Sequence, residues 1–221
     1  MGHLITNQGL KPDPGKARAM LEMPKPTDVA GIQRLIGFVT YLSKFLPKLS
    51  NACEPLRKLR VKETEWWWSE IHDQAFENVK HLVSRVPVLK YYDDPEAELT
   101  IQCDASETGL GAVITQNGQP VAFASRALTE VETRYAQIEK ELLAVVFGLE
   151  TFHQYTYGRL VTVESDHKPL EVIANKPLHK APSVYSACYY EFRCTLSTWV
   201  IARASSYSSQ TCNTTPDHCI L

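Results

Sequence analysis

The sequence predicts an α/β domain with a mixed sheet and helices, preceded by a small all-helical module. Before Pro95, apolar residues recur at steps of three and four, which is the period of amphipathic helices. After Pro95, apolar and polar residues alternate in short runs, and a long helical pattern interrupts them. With 221 residues, 44% of them hydrophobic and 22% charged, the chain is long enough to bury a core.

The clearest helix of the first module follows Thr27, which we expect to be its N-cap, with Asp28 in the first turn. Its predicted apolar face comprises Val29, Ile32, Leu35, Ile36, Val39 and Leu42. Similar spacing predicts helices over residues 15–23, 54–60 and 69–85. The buried face of the last helix is predicted to contain Ile71, Ala75, Val79 and Leu82. Trp66, Trp67 and Trp68 precede it and are interpreted as packing residues.

Alternation predicts strands over residues 99–104, 111–116 and 121–124. Asn117 and Gly118 separate the last two and are typical of a type I′ hairpin turn. A helix capped by Thr129 is predicted to run to about residue 157, where Gly158 ends it. A strand over 160–164 and a short helix over 169–174 complete a β-β-β-α-β-α order, which is an α/β layout with an antiparallel start.

Charge is unevenly distributed along the chain. Residues 1–60 contain ten Lys and Arg against four Asp and Glu, a local excess of +6. Such a segment suits a polyanion, although a solvated basic surface explains the charge equally well. The residues expected to contact phosphates are Lys11, Lys16, Arg18, Lys44 and Lys48.

The cysteine content and the hydropathy of the chain indicate the cellular compartment in which we expect the protein. Two cysteines lie in the first 182 residues and four in the last 39, without a C-x-x-C pair, which argues against a zinc site. No apolar run reaches the roughly 18 residues of a membrane helix, and no secretory signal pattern is visible. We therefore expect an intracellular protein, in cytoplasm or nucleus, with reduced thiols and no membrane contact.

Three carboxylates are placed where they could converge. Asp104 alternates with the apolar residues of the first strand, and Asp166 follows the fourth strand. Glu141 falls within the apolar stripe of the long helix, whereas Glu139, Lys140 and Glu150 fall outside it. A carboxylate on an apolar face is costly unless it is paired or binds metal. Oxygen donors of this kind suit Mg²⁺, and two such ions can promote phosphodiester hydrolysis. Separate solvation or pairing of the three acids is an equally good reading of the spacing alone.

The letters YYDD at residues 91–94 match the Y-x-D-D pattern of polymerase sites. Pro95 follows where such a site needs a returning strand, and helical patterns precede it. We therefore interpret Asp93 and Asp94 as turn residues, and we predict no polymerase site.

Many ordered runs resemble the thumb, connection and RNase H part of a gypsy-type LTR retrotransposon Pol polyprotein. They include "GHLITNQGLKPDPGKARAM", "MPKPTDVAGIQRLIGFVTYLSKFLPKLS", "IQCDASETGLGAVITQ", "AFASRALTEVETRYAQIEKELLAVVFGLETFHQYTYGR" and "SDHKPL". The resemblance implies a reverse transcriptase thumb-like segment (1–60), a connection helix and linker (61–96) and an RNase H-like domain (97–182). In the family, the polymerase palm and fingers precede such a segment.

The resemblance also implies chemistry. The family's catalytic, metal-binding acids match Asp104, Glu141 and Asp166, with Ser106 and His167 as supporting neighbours that are expected to contact nucleic acid. Two Mg²⁺ or Mn²⁺ ions, an RNA–DNA hybrid and the remaining Pol domains are the implied cofactors and partners.

Residues 183–221 depart from the family. They contain no lysine and only four charged residues, and 12 of the 39 are Ser or Thr. We read them as a non-family tail in which no helical or strand period persists. We hypothesise a frameshift near residues 182–183, because one choice of codons for 183–191 encodes the family's helix in another frame. A lineage-specific tail or a splice product is the competing interpretation, and the genomic DNA distinguishes them.

The departure removes the family's fourth metal-binding aspartate. We therefore expect weak or no RNase H activity. The alternatives are a catalytically inactive nucleic-acid-binding remnant and an inactive structural fragment.

Overall fold

The computed structural model describes residues 3–60, 66–94, 96–166, 170 and 199–203, the last range by its backbone. Within these ranges the chain forms a small N-terminal module and a five-stranded mixed sheet with a helix on one face. Each unit has its own cluster of buried apolar residues. No described helix combines the length and apolar character needed to cross a membrane.

The N-terminal module begins with a hairpin that the sequence patterns did not predict, so it is not all-helical. Strands β1 (His3–Thr6) and β2 (Gly9–Pro12) pair antiparallel. Their stability depends on distant residues: Leu10 exchanges two backbone hydrogen bonds with Leu89, and the Tyr91 hydroxyl donates to the carbonyls of Thr6 and Gly9. Four-residue strands are too short to produce a convincing alternation, so sequence periodicity could not reveal them.

Five helices come after the hairpin. They are α1 (Pro14–Leu21), α2 (Val29–Tyr41), α3 (Leu49–Ala52), α4 (Glu54–Lys58) and α5 (Glu70–Ser84). The N-cap of α2 is Asp28, not Thr27, because the Asp28 carboxylate accepts a 2.6 Å hydrogen bond from the Gly31 amide. Apart from its first residue, the predicted apolar face of this helix is buried as expected.

Helix α5 lies within one residue of its predicted limits at each end, and its Ala75 and Val79 are buried. Ile71 is an error of the prediction, since it is 63% exposed in the first turn of the helix. Trp66 and Trp68 pack against the module's core, but Trp67 is 74% exposed and is not a packing residue.

The sheet contains β3 (Leu99–Ala105), β4 (Gly109–Gln116), β5 (Gln119–Ala127), β6 (Val161–Ser165) and β7 (Trp199–Arg203). The strand order is β5-β4-β3-β6-β7. Strand β4 runs antiparallel to both of its neighbours, β3 and β5, whereas β6 runs parallel to both β3 and β7. The predicted type I′ turn is confirmed by positive φ angles of 51° at Asn117 and 75° at Gly118.

The predicted helix over 129–157 is wrong at both ends. Glu132–Arg134 form a 3-10 turn, residues 135 and 136 are extended, and α6 begins only at Gln137 and ends at Thr151. A short helix α7 (His153–Thr156) comes next. Thr129 Oγ1 instead accepts a 3.3 Å hydrogen bond from the Glu132 amide, and Arg126 on β5 holds the Glu132 carboxylate. These contacts fasten the 3-10 turn to the end of β5, six residues earlier.

Helix α6 covers the core face of β3 and β4. Gly148 permits the close approach, since a Cβ there would lie 2.9 Å from Cys103 Sγ and 3.2 Å from the Ile101 and Ala112 side chains. Lys140, which we placed outside the buried stripe, is buried as well, at 7% exposure. The stripe is thus wider than its apolar residues alone indicate.

Strand β7 corrects the interpretation of the tail. We expected no strand there, yet residues 199–203 extend the sheet beyond β6 in parallel register. The run Trp199-Val200-Ile201 supplies β-forming residues, but it is too short to stand out in a Ser- and Thr-rich segment. The rest of the proposed frameshift region, 183–198 and 204–221, lies outside the described residues. So does the helix predicted over 169–174, except for Leu170.

Candidate metal centre

Asp104 is presented by the alternation of β3. Ile101, Cys103 and Ala105 are buried beneath α6, so the intervening Asp104 points to the opposite face of the sheet. Its side chain is 48% exposed. The partner on β4 is Gly111, which has no side chain to crowd the carboxylate.

Asp166 reaches the same edge of the sheet through parallel pairing. Cys103 of β3 is in register with Ser165 of β6. The next residues along the two strands are Asp104 and Asp166, so both carboxylates leave the sheet at neighbouring carboxyl ends. Asp166 is exposed.

Glu141 lies in the second turn of α6, on the face that packs against the sheet, and is only 4% exposed. Its neighbours in the helix stripe are apolar residues of the sheet core. Gln137, one turn earlier, donates a 2.7 Å hydrogen bond to Glu141 Oε1 and a 3.2 Å bond to the Ala105 carbonyl at the end of β3. The amide thus ties the carboxylate to the strand that carries Asp104.

The three acids converge. One carboxylate oxygen from each of Asp104, Glu141 and Asp166 lies within 4.8 Å of the other two. The pKa of Glu141 is raised to about 7, chiefly by burial and also by the nearby Asp166 and Asp104 charges, although hydrogen bonds from Gln137 and the Ala105 amide act in the opposite direction. The site therefore gathers negative charge that the described side chains only partly compensate.

The donor set fits a divalent cation. Glu141 Oε2 is buried and has no hydrogen-bond partner among the described residues, which is costly for a carboxylate oxygen. It belongs to a group of three oxygen ligands, the type that hard ions such as Mg²⁺ and Mn²⁺ prefer. A bound cation would supply both the missing partner and the missing positive charge.

A cleft lies beside the acids on the open face of the sheet. Its volume is about 460 Å³. Its lining includes Gln102, Asp104, Val113, Phe123, Glu164 and Asp166. Gln102 donates a 2.9 Å hydrogen bond to Glu164, so this further acid has a partner within the sheet. The segment Pro47-Lys48 of the N-terminal module forms one wall.

Lys48 is the predicted basic residue that reaches the acids. Its Nζ lies 3.0 Å from Asp104 Oδ2 and forms an ion pair with that candidate ligand, and its contact with phosphate stays a prediction. The signal for this contact is absent from the sequence, because 56 residues separate the two positions. Gln137 was missed as well, although its i, i+4 spacing from Glu141 is visible in the sequence.

The other predicted basic residues do not reach the acids through any described contact. Lys11 bonds Gln8, Lys16 lies 4.0 Å above the Tyr41 ring, and Lys44 contacts the Tyr155 hydroxyl at 3.5 Å. Arg18 lies exposed in the last turn of α1. Whether these residues bind nucleic acid stays a prediction.

Ser106 closes the turn between β3 and β4. Its hydroxyl accepts from the Gly109 amide at 2.9 Å and contacts Asn51 Oδ1 at 2.9 Å. Its described contacts therefore hold the strand end that carries Asp104 rather than touching the acids. His167 lies outside the described residues.

Residues 91–94 serve as a connector. Tyr91 bonds the N-terminal hairpin, and the Tyr92 hydroxyl donates to the Tyr155 carbonyl at 2.8 Å and accepts from Arg159. Asp94 accepts from the Glu96 amide at 2.9 Å, the local bond of a turn. This geometry agrees with the turn interpretation of the YYDD letters.

A family comparison supports the fold. Residues 68–163 match the model of the RNase H-like domain found in reverse transcriptase. The match includes Asp104 and Glu141 and ends shortly before Asp166.

Curated relatives are polyproteins of transposons. The Retrovirus-related Pol polyprotein from transposon 297 of Drosophila melanogaster is 38% identical over 176 residues, which are 79% of this chain and 16% of that polyprotein. The Transposon Tf2-3 polyprotein of Schizosaccharomyces pombe is 28% identical over 180 residues, 79% of this chain and 13% of the relative. The chain therefore spans less than a fifth of the length of either relative.

A solved structure shows the same fold. The foamy viral protease-reverse transcriptase in complex with RNA/DNA hybrid superposes with a TM-score of 0.76, at 20% identity, over 99% of this chain and 31% of that one. A second structure of that viral protein, in complex with double-stranded DNA, gives the same TM-score. The expected RNase H-like fold is confirmed.

Proposed function

We propose that the chain hydrolyses RNA in RNA–DNA hybrids, because residues 68–163 match the model of the RNase H-like domain found in reverse transcriptase. Its homologues are Pol polyproteins of retrotransposons. The reaction uses divalent metal at Asp104, Glu141 and Asp166. Two observations carry the proposal: Glu141 Oε2 is buried without a hydrogen-bond partner among the described residues, and a Glu141 carboxylate oxygen lies within 4.8 Å of oxygens from two solvent-facing aspartates.

Each residue has a distinct part in this proposal. Asp104 and Asp166 hold cations at the edge of the cleft, where a phosphodiester can approach from solvent. Glu141 holds a cation from the core side, and Gln137 fixes the orientation of its carboxylate. Divalent ions bound there would supply Lewis-acid activation of water and neutralise charge on the leaving group.

The substrate surface is the cleft beside the triad. Phe123 and Val113 give it an apolar floor, while the acids and Lys48 form its polar rim. The excess of +6 over residues 1–60 favours a polyanion on the adjoining module. Partners in a longer polyprotein are part of the proposal as well, since the chain matches only a segment of its relatives.

We expect the activity to be weak. Among the described residues three carboxylates cluster, fewer than the four that the family resemblance leads us to expect, and each acid removed lowers the attraction for a second cation. Lys48 further reduces the negative charge at Asp104.

The test is cleavage of a labelled RNA–DNA hybrid with Mg²⁺ or Mn²⁺. We expect slow, metal-dependent cleavage that Asp104→Asn abolishes. Asp93→Asn is the matched control, because it removes an exposed aspartate of the connector and should leave the rate unchanged. Robust cleavage would contradict the expected weakness, and cleavage that survives Asp104→Asn would overturn the assignment of the site.

The second candidate function is nucleic-acid binding without cleavage. The ion pair between Lys48 and Asp104 favours it, because that contact partly neutralises the acid that would hold metal. Salt-dependent binding of the hybrid, together with no cleavage in either metal, would select this function.

A further inference from the structure

The turn that carries Lys48 has an unusual backbone. Lys48 has φ 50° and ψ 26°, which is the left-handed region that favours glycine. Among the described non-glycine residues, Asn117 is the other with positive φ, and it lies in a hairpin turn where asparagine is expected. A lysine has no such local reason. Its conformation is held by the docking of the helix that begins at the next residue, Leu49.

That helix, α3, presses the turn onto the edge of the sheet. The Ser50 amide donates a 3.1 Å hydrogen bond to Ser125 on β5, and Ser50 is 2% exposed. Asn51 Oδ1 accepts from Ser106 at 2.9 Å. A Cβ on Gly109 would lie 2.7 Å from Asn51 Oδ1, so the two surfaces are in close contact.

Docking in turn determines where the Lys48 ammonium lies. The side chain spans from the N-terminal module to Asp104 and ends 3.0 Å from its Oδ2. Lys48 is 70% exposed, so the long side chain could instead extend into solvent. The ammonium instead pairs with Asp104, at the edge of the sheet where three carboxylates of the described residues lie close together.

We propose that Lys48 is a displaceable counter-ion, which occupies the place of a cation at Asp104 until a divalent ion binds. This inference rests on the proposed metal site. Lys48 competes with the divalent ion for the same carboxylate oxygen. When the metal binds, the ammonium is released to the rim of the cleft, where it can meet a phosphate.

The competition couples two parts of the chain. Docking of α3 on the sheet places Lys48 beside Asp104. A divalent ion that displaces Lys48 breaks this ion pair, so metal binding and the docking of α3 oppose each other. Linkage requires that a variant which removes the Lys48 ammonium, and leaves the Asp104 carboxylate intact, should strengthen metal binding by up to the free energy of the ion pair. A partly exposed ion pair corresponds to a modest effect, a change in affinity of roughly three- to tenfold.

The experiment measures Mn²⁺ affinity by the EPR signal of free Mn²⁺, without substrate. We expect Lys48→Met to bind Mn²⁺ about three- to tenfold more tightly than the parent chain. Lys58→Met is the matched control, since it removes the same charge and breaks an ion pair with Glu54 away from the triad. It should bind as the parent does. Equal affinity of Lys48→Met and the parent overturns the inference.

A second variant guards against misfolding. Lys48→Gly removes the ammonium and also relieves the positive φ, so its fold should be at least as stable. It should show the same gain in affinity as Lys48→Met, and an unchanged affinity in this folded variant counts against the inference.

The variant Asp104→Asn distinguishes failure of the proposed metal site from failure of the Lys48 inference. If neither the parent nor any variant binds Mn²⁺, the metal site of the proposed function fails. If the parent binds and Asp104→Asn does not, the site holds and the Lys48 variants alone decide the inference.

Discussion

Gln137 and Glu141 lie one helical turn apart on α6, and the Gln137 amide donates a 2.7 Å hydrogen bond to Glu141 Oε1. The same amide contacts the Ala105 carbonyl, so one side chain joins the helix to the strand that carries Asp104. The remaining oxygen of Glu141 is left for a ligand. Gln137 is therefore a positioning residue for the candidate metal site.

Gln137→Ala should weaken divalent binding. Without the amide, the Glu141 carboxylate loses the partner that fixes its orientation. Part of the free energy of metal binding is then spent on ordering that carboxylate. We expect about a 10- to 100-fold loss of Mn²⁺ affinity in calorimetry, the range typical of supporting groups around metal ligands. Gln74→Ala is the control, because Gln74 bonds Glu70 at the same four-residue spacing on the exposed face of α5. Equal affinity of both variants would refute the positioning role.

Glu141→Gln should stabilise the metal-free protein. The carboxylate is buried beside two aspartates, and the amide removes a charge that burial and those neighbours disfavour. We expect the free energy of unfolding in EDTA at pH 8 to rise by about 1–2 kcal/mol. Adding Mn²⁺ should raise the melting temperature of the parent and leave that of the variant almost unchanged. A lower melting temperature of the variant in EDTA would contradict this reasoning.

Glu132 should make stability depend on acid pH. Arg126 forms two hydrogen bonds with it, at 2.8 and 2.9 Å, and holds the pKa of the Glu132 carboxyl down at about 2. Because the pKa is lower in the folded state, the stabilisation is complete above the unfolded value, near 4.5, and is lost as pH falls towards 2.

Glu132→Gln should therefore lower the free energy of unfolding by on the order of 1–3 kcal/mol at pH 7, and by less at pH 3. Urea denaturation at the two pH values measures this difference. Glu130→Gln is the control, since Glu130 pairs with Arg134 at 86% exposure and should change little at either pH. A deficit for Glu132→Gln that is as large at pH 3 as at pH 7 would count against the ion pair as its cause.

Gly148→Ala should destabilise the sheet domain. The added Cβ would lie 2.9 Å from Cys103 Sγ, so α6 must move away from β3. We expect a loss of about 1–3 kcal/mol in chemical denaturation. Gly37→Ala provides the opposite case, because nothing lies within 4 Å of a Cβ on that exposed helical position. It should stabilise by roughly 0.5–1 kcal/mol through helix propensity alone. Equal effects of the two changes would refute the packing argument.

Period and alternation identified much of the framework. The apolar spacing of α2 located its buried face, and the alternation of β3 separated Asp104 from Cys103. The stripe of α6 indicated that Glu141 faces inward, and it is buried there. These properties depend on neighbours within a few residues, which a periodic pattern records directly.

Other features depend on contacts between distant segments. The hairpin of β1 and β2 is bonded to Leu89 and Tyr91, about 80 residues away along the chain. Strand β7 acquires its place through pairing with β6. A local sequence pattern does not show which distant residues a segment will pair with.

The amino-acid sequence was sufficient to identify the RNase H-like fold, the three acids and the turn character of YYDD. The convergence of the three acids within 4.8 Å depends on the parallel register of β3 and β6 and on the packing of α6 against the sheet. The role of Lys48 needed still more, because it arises where one module docks on another. Periodicity reports which face of an element is buried, whereas the distance between two charges depends on how separate elements pack together.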